Sequence, residues 1–192
     1  YQGGRMAGLE VARRLDGKGR VVLLRYQEGS ASTMKREQGF LDAIAEITEI
    51  VVVSDNQHGG ATTESAYQAS ENLLAPLQGD DGQLNVDGIF CPNESTTFGM
   101  LRALQDRQLN GQVRFVGFDS SDKLVEGLAA GDLDALVLQN PMAMGELGVR
   151  TMVAHLQGKP VERRIDTGVV LVTRDNMNEP TVAELLRPPS ND

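Results

Sequence analysis

Apolar residues fall along this chain in short blocks of two kinds. Val21 to Leu24, Gly88 to Cys91, Val113 to Gly117 and Ala135 to Leu138 are near-continuous runs of four or five residues. Short bulky runs of this kind fit strands buried on both faces of a parallel sheet. Between them, apolar positions recur at three- and four-residue steps, the spacing of one helix face. The pattern predicts strands at Arg20–Arg25, Ile50–Val53, Gly88–Cys91, Val113–Gly117, Ala135–Leu138 and Gly168–Val172. The first helix is expected to carry Met6, Leu9, Ala12 and Leu15 on one face and to stop at Gly17 and Gly19. A second runs over Ser32–Ile47 with Phe40, Leu41, Ile44 and Ile47 inward, and a third over Thr62–Leu74. Later helices carry Phe98, Leu101 and Leu104, then span Ser121–Ala130, where Gly131 ends the element. Asn140-Pro141 is an N-cap and first-turn pair for a last helix with Met144, Leu147, Thr151, Met152 and Leu156 on one face. Ser54 to Gly60 reads as a turn, Pro76 to Asp87 as a polar loop, and the Pro- and Asn-rich tail as frayed. Strand and helix alternate throughout, so the fold class is α/β, an open, mainly parallel, doubly wound sheet.

Each strand block stops at a polar cluster that opens a helix, and in such a sheet ligands bind outside the carboxyl ends of the strands. Asn93, Asp119 and Gln139 stand one or two residues past successive strands. Each on its own can be a helix cap. Three at equivalent places point to a ligand edge, Gln139 most of all, because Gln caps poorly and Asn140 is free for that task. Arg36 sits early in its helix, where a cation opposes the dipole. Alone it reads as half of a surface salt bridge; beside the three strand-end residues it reads as a ligand contact, with a fork of donors that can bridge hydroxyls. Phe118 either fills the core or offers an apolar face to a sugar ring. Planar amides, one carboxylate and one guanidinium suit a small polyol, with no nucleophile beside them.

The balance of 18 basic against 27 acidic side chains gives a net charge of -9. That opposes a nucleic-acid or anionic-membrane surface, both of which need basic patches. No apolar stretch approaches the roughly 20 residues of a membrane span. Cys91 is the lone cysteine and sits on an apolar strand, as an inert buried thiol does. His58 and His155 lack ligand-spaced partners for zinc, and Asp80, Asp81, Asn85 and Asp87 lack EF-hand spacing. Gly3-Gly4 to Gly8 follows no strand and is no dinucleotide fingerprint; Gly29-Ser30-Ala31-Ser32 lacks the Walker lysine; no G-x-S-x-G elbow is present. No cofactor and no enzymatic activity are expected.

The same residues resemble a known family. Tyr1 to Gly8, Gly29 to Ser32 running into Arg36-Glu37-Gln38-Gly39-Phe40, Phe90 to Glu94, Val116 to Asp119, Leu138 to Pro141 and Asp166 to Val172 resemble, in order, the second lobe of ribose-binding-protein-like sugar-binding proteins of bacterial ABC transporters. That periplasmic binding protein fold is shared with LacI-type repressors. The resemblance implies that Arg36, Asn93, Asp119 and Gln139 hydrogen-bond a monosaccharide, with Phe118 as a packing contact. It implies a periplasmic or lipid-anchored importer subunit with a membrane permease as partner. The alternative is the cytoplasmic effector-binding core of a LacI-type regulator. Carried along the chain, it makes 1–140 a second-lobe sugar-binding domain and 141–160 a helix belonging to a first lobe that lies ahead of Tyr1. Residues 161–176 are then the return strand and 177–192 a tail. A fragment of this kind is expected to self-associate through the 142–157 helix.

Overall fold

The computed structural model describes residues 1–186. Six strands form one sheet in the order β2-β1-β3-β4-β5-β6. They are β1 (Lys18–Arg25), β2 (Glu49–His58), β3 (Gly88–Phe90), β4 (Arg114–Phe118), β5 (Ala135–Leu138) and β6 (Val170–Val172). The first five are parallel, and β6 joins β5 antiparallel. Side chains alternate across the sheet, as the pleat requires. Val21, Leu23, Phe90, Val116, Phe118 and Val137 face α1 (Gln2–Arg14) and α2 (Ala31–Ala45). Val22, Leu24, Ile89, Phe115, Leu136 and Leu138 face the second layer. That layer holds α3 (Thr63–Leu74), α4 (Glu94–Asp106), α5 (Asp122–Ala130) and α7 (Pro180–Leu186). The sheet is therefore doubly wound.

Four expectations need correction. The inner face of α1 is Gly4, Ala7, Gly8 and Val11, while Leu9 is 48 % exposed. The reason is a backbone-to-backbone crossing with α2. A Cβ on Gly4 would run into the Arg36 carbonyl, and one on Gly39 into the Tyr1 carbonyl. Small residues hold the side that meets α2, and of the four expected apolar positions only Leu9 turns outward, while Ala12 is buried and Met6 and Leu15 pack against the core. β2 continues through the polar Ser54 to His58, because Gln57 and His58 still pair with Leu24 and Arg25 across two register irregularities. Such bulges twist an edge strand away from further pairing. The tail folds in part: α7 buries Val182 and Leu186 against the second layer. Residues 187–192 of that tail lie outside the described residues. Finally, β6 begins only at Val170.

The last long helix, α6 (Pro141–Leu156), starts as expected, with Asn140 Oδ1 accepting from the Ala143 N–H at 2.9 Å. None of its residues is buried. Met142, Met144, Val149, Met152, Val153 and Leu156 are all exposed.

Candidate functional site

The side chains of Arg36, Asp119 and Gln139 and the Pro92 carbonyl, from α2 and three strand ends, converge at the carboxyl edge of the sheet. Arg36 lies in the second turn of α2, where the glycine crossing seats its backbone against α1. Its Nη1 donates to the Pro92 carbonyl at 2.7 Å, just past β3. Nη2 donates to Gln139 Oε1 at 2.8 Å, just past β5. Nη1 also lies 3.4 Å from Asp119 Oδ2, just past β4. The guanidinium is 3.8 Å from the centre of the Phe118 ring, in cation–π contact. One arginine thus reads the ends of three neighbouring strands.

Asp119 holds φ 66°, the left-handed region, which Asp tolerates better than most residues. Its N–H donates to the Val137 carbonyl at 2.9 Å, which keeps the turn against β5. Strained backbone of this kind is often kept at functional sites. Burial pushes the Asp119 carboxyl above its ordinary range, against the pull of Arg36 and the Glu94 N–H. Burial also lowers the Arg36 guanidinium, opposed by Asp119. Both shifts say the same thing: desolvation outweighs the attraction within the pair, as is common for buried ion pairs. Charged groups in this state gain from a further polar partner.

Asn93 behaves as a cap. Its Oδ1 accepts from Thr96 Oγ1 at 2.6 Å and faces the Thr96 N–H at 3.4 Å, while Nδ2 donates to Ser95 Oγ at 3.0 Å. The side chain is turned into its own helix, one residue beyond the carbonyl that Arg36 holds. Phe118 is 1 % exposed, and its ring face is given to Arg36. It borders the hollow described next, but as a core side chain under the arginine; the open apolar face envisaged for a sugar is taken. Three contacts went unforeseen. Pro92 supplies a carbonyl. Thr97, wholly buried on α4, donates to the Asn93 carbonyl at 2.7 Å and accepts from the Phe118 N–H at 3.1 Å, tying two of the strand ends together. Glu37 is buried at 3 % exposure. The signal for Glu37 was present, because Thr33, Glu37, Phe40 and Ile44 form one helical stripe and all are buried.

Beside Arg36 lies an open hollow of about 330 Å³, bordered by Ser32, Lys35, Arg36, Gln139 and Val169. A larger hollow, of about 550 Å³, runs between α6 and residues 161–167, with Met144, Leu147, Met152, Val161 and Ile165 along it. It lacks converging polar groups tied to the sheet edge, and it marks a bare helix face. Among the described residues no group of three His, Cys, Asp or Glu could hold a metal ion. None of the described helices is long and apolar enough to cross a membrane.

The profile of the periplasmic binding protein domain matches residues 1–160. The ribose import binding protein RbsB of Haemophilus influenzae is 32% identical over 171 residues, covering 89% of this chain and 55% of its own length. The D-allose-binding periplasmic protein of Escherichia coli is 27% identical over 144 residues, covering 74% of this chain and 44% of itself. Among solved structures, a carbohydrate transporter solute-binding protein from Agrobacterium radiobacter, in complex with D-arabinose, superposes with a TM-score of 0.88 at 30% identity. It covers 96% of this chain, which in turn spans 62% of that protein. A solute-binding protein from Agrobacterium vitis with bound D-fucose gives 0.88 at 30% identity, over 96% of this chain and 61% of its own. The chain spans about half the length of the curated relatives it matches.

Proposed function

As a member of the periplasmic binding protein domain family, over residues 1–160, this chain is, we propose, the second lobe of a sugar-binding protein serving a bacterial ABC importer. Its carboxyl sheet edge forms one wall of a monosaccharide site. The observation that carries this reading is the Arg36 fan onto the ends of β3, β4 and β5. Arg36, Asp119 and Gln139 bring donors and acceptors together, which suits vicinal hydroxyls, and Asn93 joins them once its amide turns toward the ligand. Phe118 supports the arginine from below. The site binds and releases its sugar without chemistry.

The relatives, one named as an import binding protein and one as a periplasmic sugar-binding protein, favour an importer over a LacI-type regulator. A membrane permease is the partner and the periplasm the compartment in this reading. Residues 141–160 then belong with a first lobe and 161–176 return to the second, followed by the tail from 177. The unburied α6 supports that division, since a helix with this many exposed methionines and valines needs a cover. Where no first lobe covers it, a second copy of the chain is the expected cover.

The test is calorimetric titration of the two-lobe protein against aldoses and ketoses, with amino acids and nucleotides as controls. Binding to a neutral monosaccharide is expected. Tight binding of an amino acid, with none to any sugar, rules the reading out.

A further inference from the structure

Arg36 and Glu37 are adjacent on α2 and point to opposite halves of the sheet edge. Consecutive helical residues diverge by roughly 100°. Arg36 reaches across to the ends of β3, β4 and β5. Glu37 turns the other way, to the end of β1. Its Oε1 accepts from the Tyr26 N–H at 3.1 Å, and its Oε2 accepts from Arg25 Nη1 at 2.8 Å. Arg25 in turn donates from Nε to the Asp55 carbonyl and from Nη2 to Asp55 Oδ2 at 3.2 Å. The Tyr26 N–H is the first amide beyond β1, so the carboxylate also closes that strand end.

A carboxylate buried on a largely apolar helix face is costly, and an apolar pair of similar volume would hold the helix down as well or better. What such a pair lacks is the direction of a hydrogen bond, which adds to packing in fixing the rotation of α2 about its own axis. A rotation of roughly 10° at a radius of about 6 Å moves a side-chain head by about 1 Å. That is enough to separate a working site from a loose one. The glycine crossing at Gly4 and Gly39 sets the separation of α2 from α1, and Phe40 and Ile44 seat its inner face in the core; Glu37 adds directional bonds from the turn that carries Arg36 to the end of β1. We infer that Glu37 is a positioning residue, whose hydrogen bonds to Tyr26 and Arg25 lock the rotation of α2 and so aim the Arg36 guanidinium at the three strand ends.

The inference deepens the sugar-site reading, since it rests on Arg36 as the ligand's arginine, yet it can be tested with no sugar present. In the ¹⁵N-labelled chain, a guanidinium held by Pro92 and Gln139 above a phenyl ring gives separate, ring-shifted Nη resonances. Glu37→Gln is expected to collapse them into an averaged signal in a protein that still folds. Glu10→Gln is the control. Glu10 is also a buried carboxylate, taking bonds from Arg13 at 2.8 Å and Arg14 at 2.6 Å, but on α1 and away from the site. It should lower the unfolding midpoint without altering the Arg36 signals. Should Glu37→Gln fail to fold, Arg25→Met breaks the same lock from its other end and is read in the same way. Unchanged Arg36 resonances in the folded variant would overturn the inference, as would equal collapse in Glu10→Gln. Sugar titration of the two-lobe protein is a separate readout, so failure of the sugar reading leaves this result interpretable.

Discussion

The Arg36 guanidinium rests 3.8 Å above the centre of the Phe118 ring, so the polar edge of the sheet stands directly on its α1–α2 core. Phe118 belongs to the same cluster as Phe40 and Phe90, whose rings stack at 4.7 Å. Phe118→Ala should therefore cost stability and site geometry together. Emptying a buried phenyl site costs about 3–5 kcal/mol, measurable by denaturant unfolding. A loss below about 1 kcal/mol would mean that the site collapses freely and that the ring supports nothing.

Helical glycines divide into two kinds. Gly4 sits against the Arg36 carbonyl, whereas Gly145 and Gly148 on α6 face open space. Gly4→Ala must push α1 from α2, and overpacking of this kind costs about 1–3 kcal/mol. Gly145→Ala should raise the stability of the isolated helix turn by about 0.5–1 kcal/mol, because only backbone freedom is lost. Opposite signs in paired thermal melts are expected; matching signs would refute the crossing.

Asp119 gives a pH test. Its pKa is raised on folding, chiefly by burial. A carboxyl of raised pKa favours the fold while it is protonated, and that contribution is lost as pH rises through its folded titration. Asp119→Asn keeps the shape and suits the left-handed backbone. The variant should match the parent in acid, below the carboxylate range, and unfold at a higher temperature at neutral pH. A variant that is less stable at neutral pH would show that attraction to Arg36 outweighs desolvation.

The bare face of α6 makes self-association of the isolated chain an expected property. Met152 is 57 % exposed and Leu156 77 %. Light scattering should find dimers or larger species, and Leu147→Glu with Met152→Glu should return monomers. A monomeric parent chain whose α6 amides are nonetheless protected from exchange would assign the helix to its own lobe.

The strands are legible because burial on both faces demands unbroken apolar runs, and the meeting of Arg36, Asp119 and Gln139 is legible because such runs end in side chains suited to capping or recognition. What stayed hidden depends on partners distant in sequence. Ser54 to His58 look like a turn, yet they are strand because β1 lies alongside. α7 forms in a Pro- and Asn-rich tail because Val182 and Leu186 find the second layer. Gly3, Gly4 and Gly8 carry no local hint of α2, and Phe118 gives none of the arginine on its face. Asn93 could be read either way, and its cap is a matter of rotamer.

The most direct measurement compares sugar affinity by titration calorimetry in the two-lobe protein and its Arg36→Ala and Asp119→Ala variants, each checked for native unfolding. Losing one charged hydrogen-bond partner in a closed site costs about 1.5–3 kcal/mol, or roughly ten- to a hundredfold in Kd. That loss is expected in both variants. Folded variants that bind the sugar as tightly as the parent would contradict a sugar-reading edge built on Arg36.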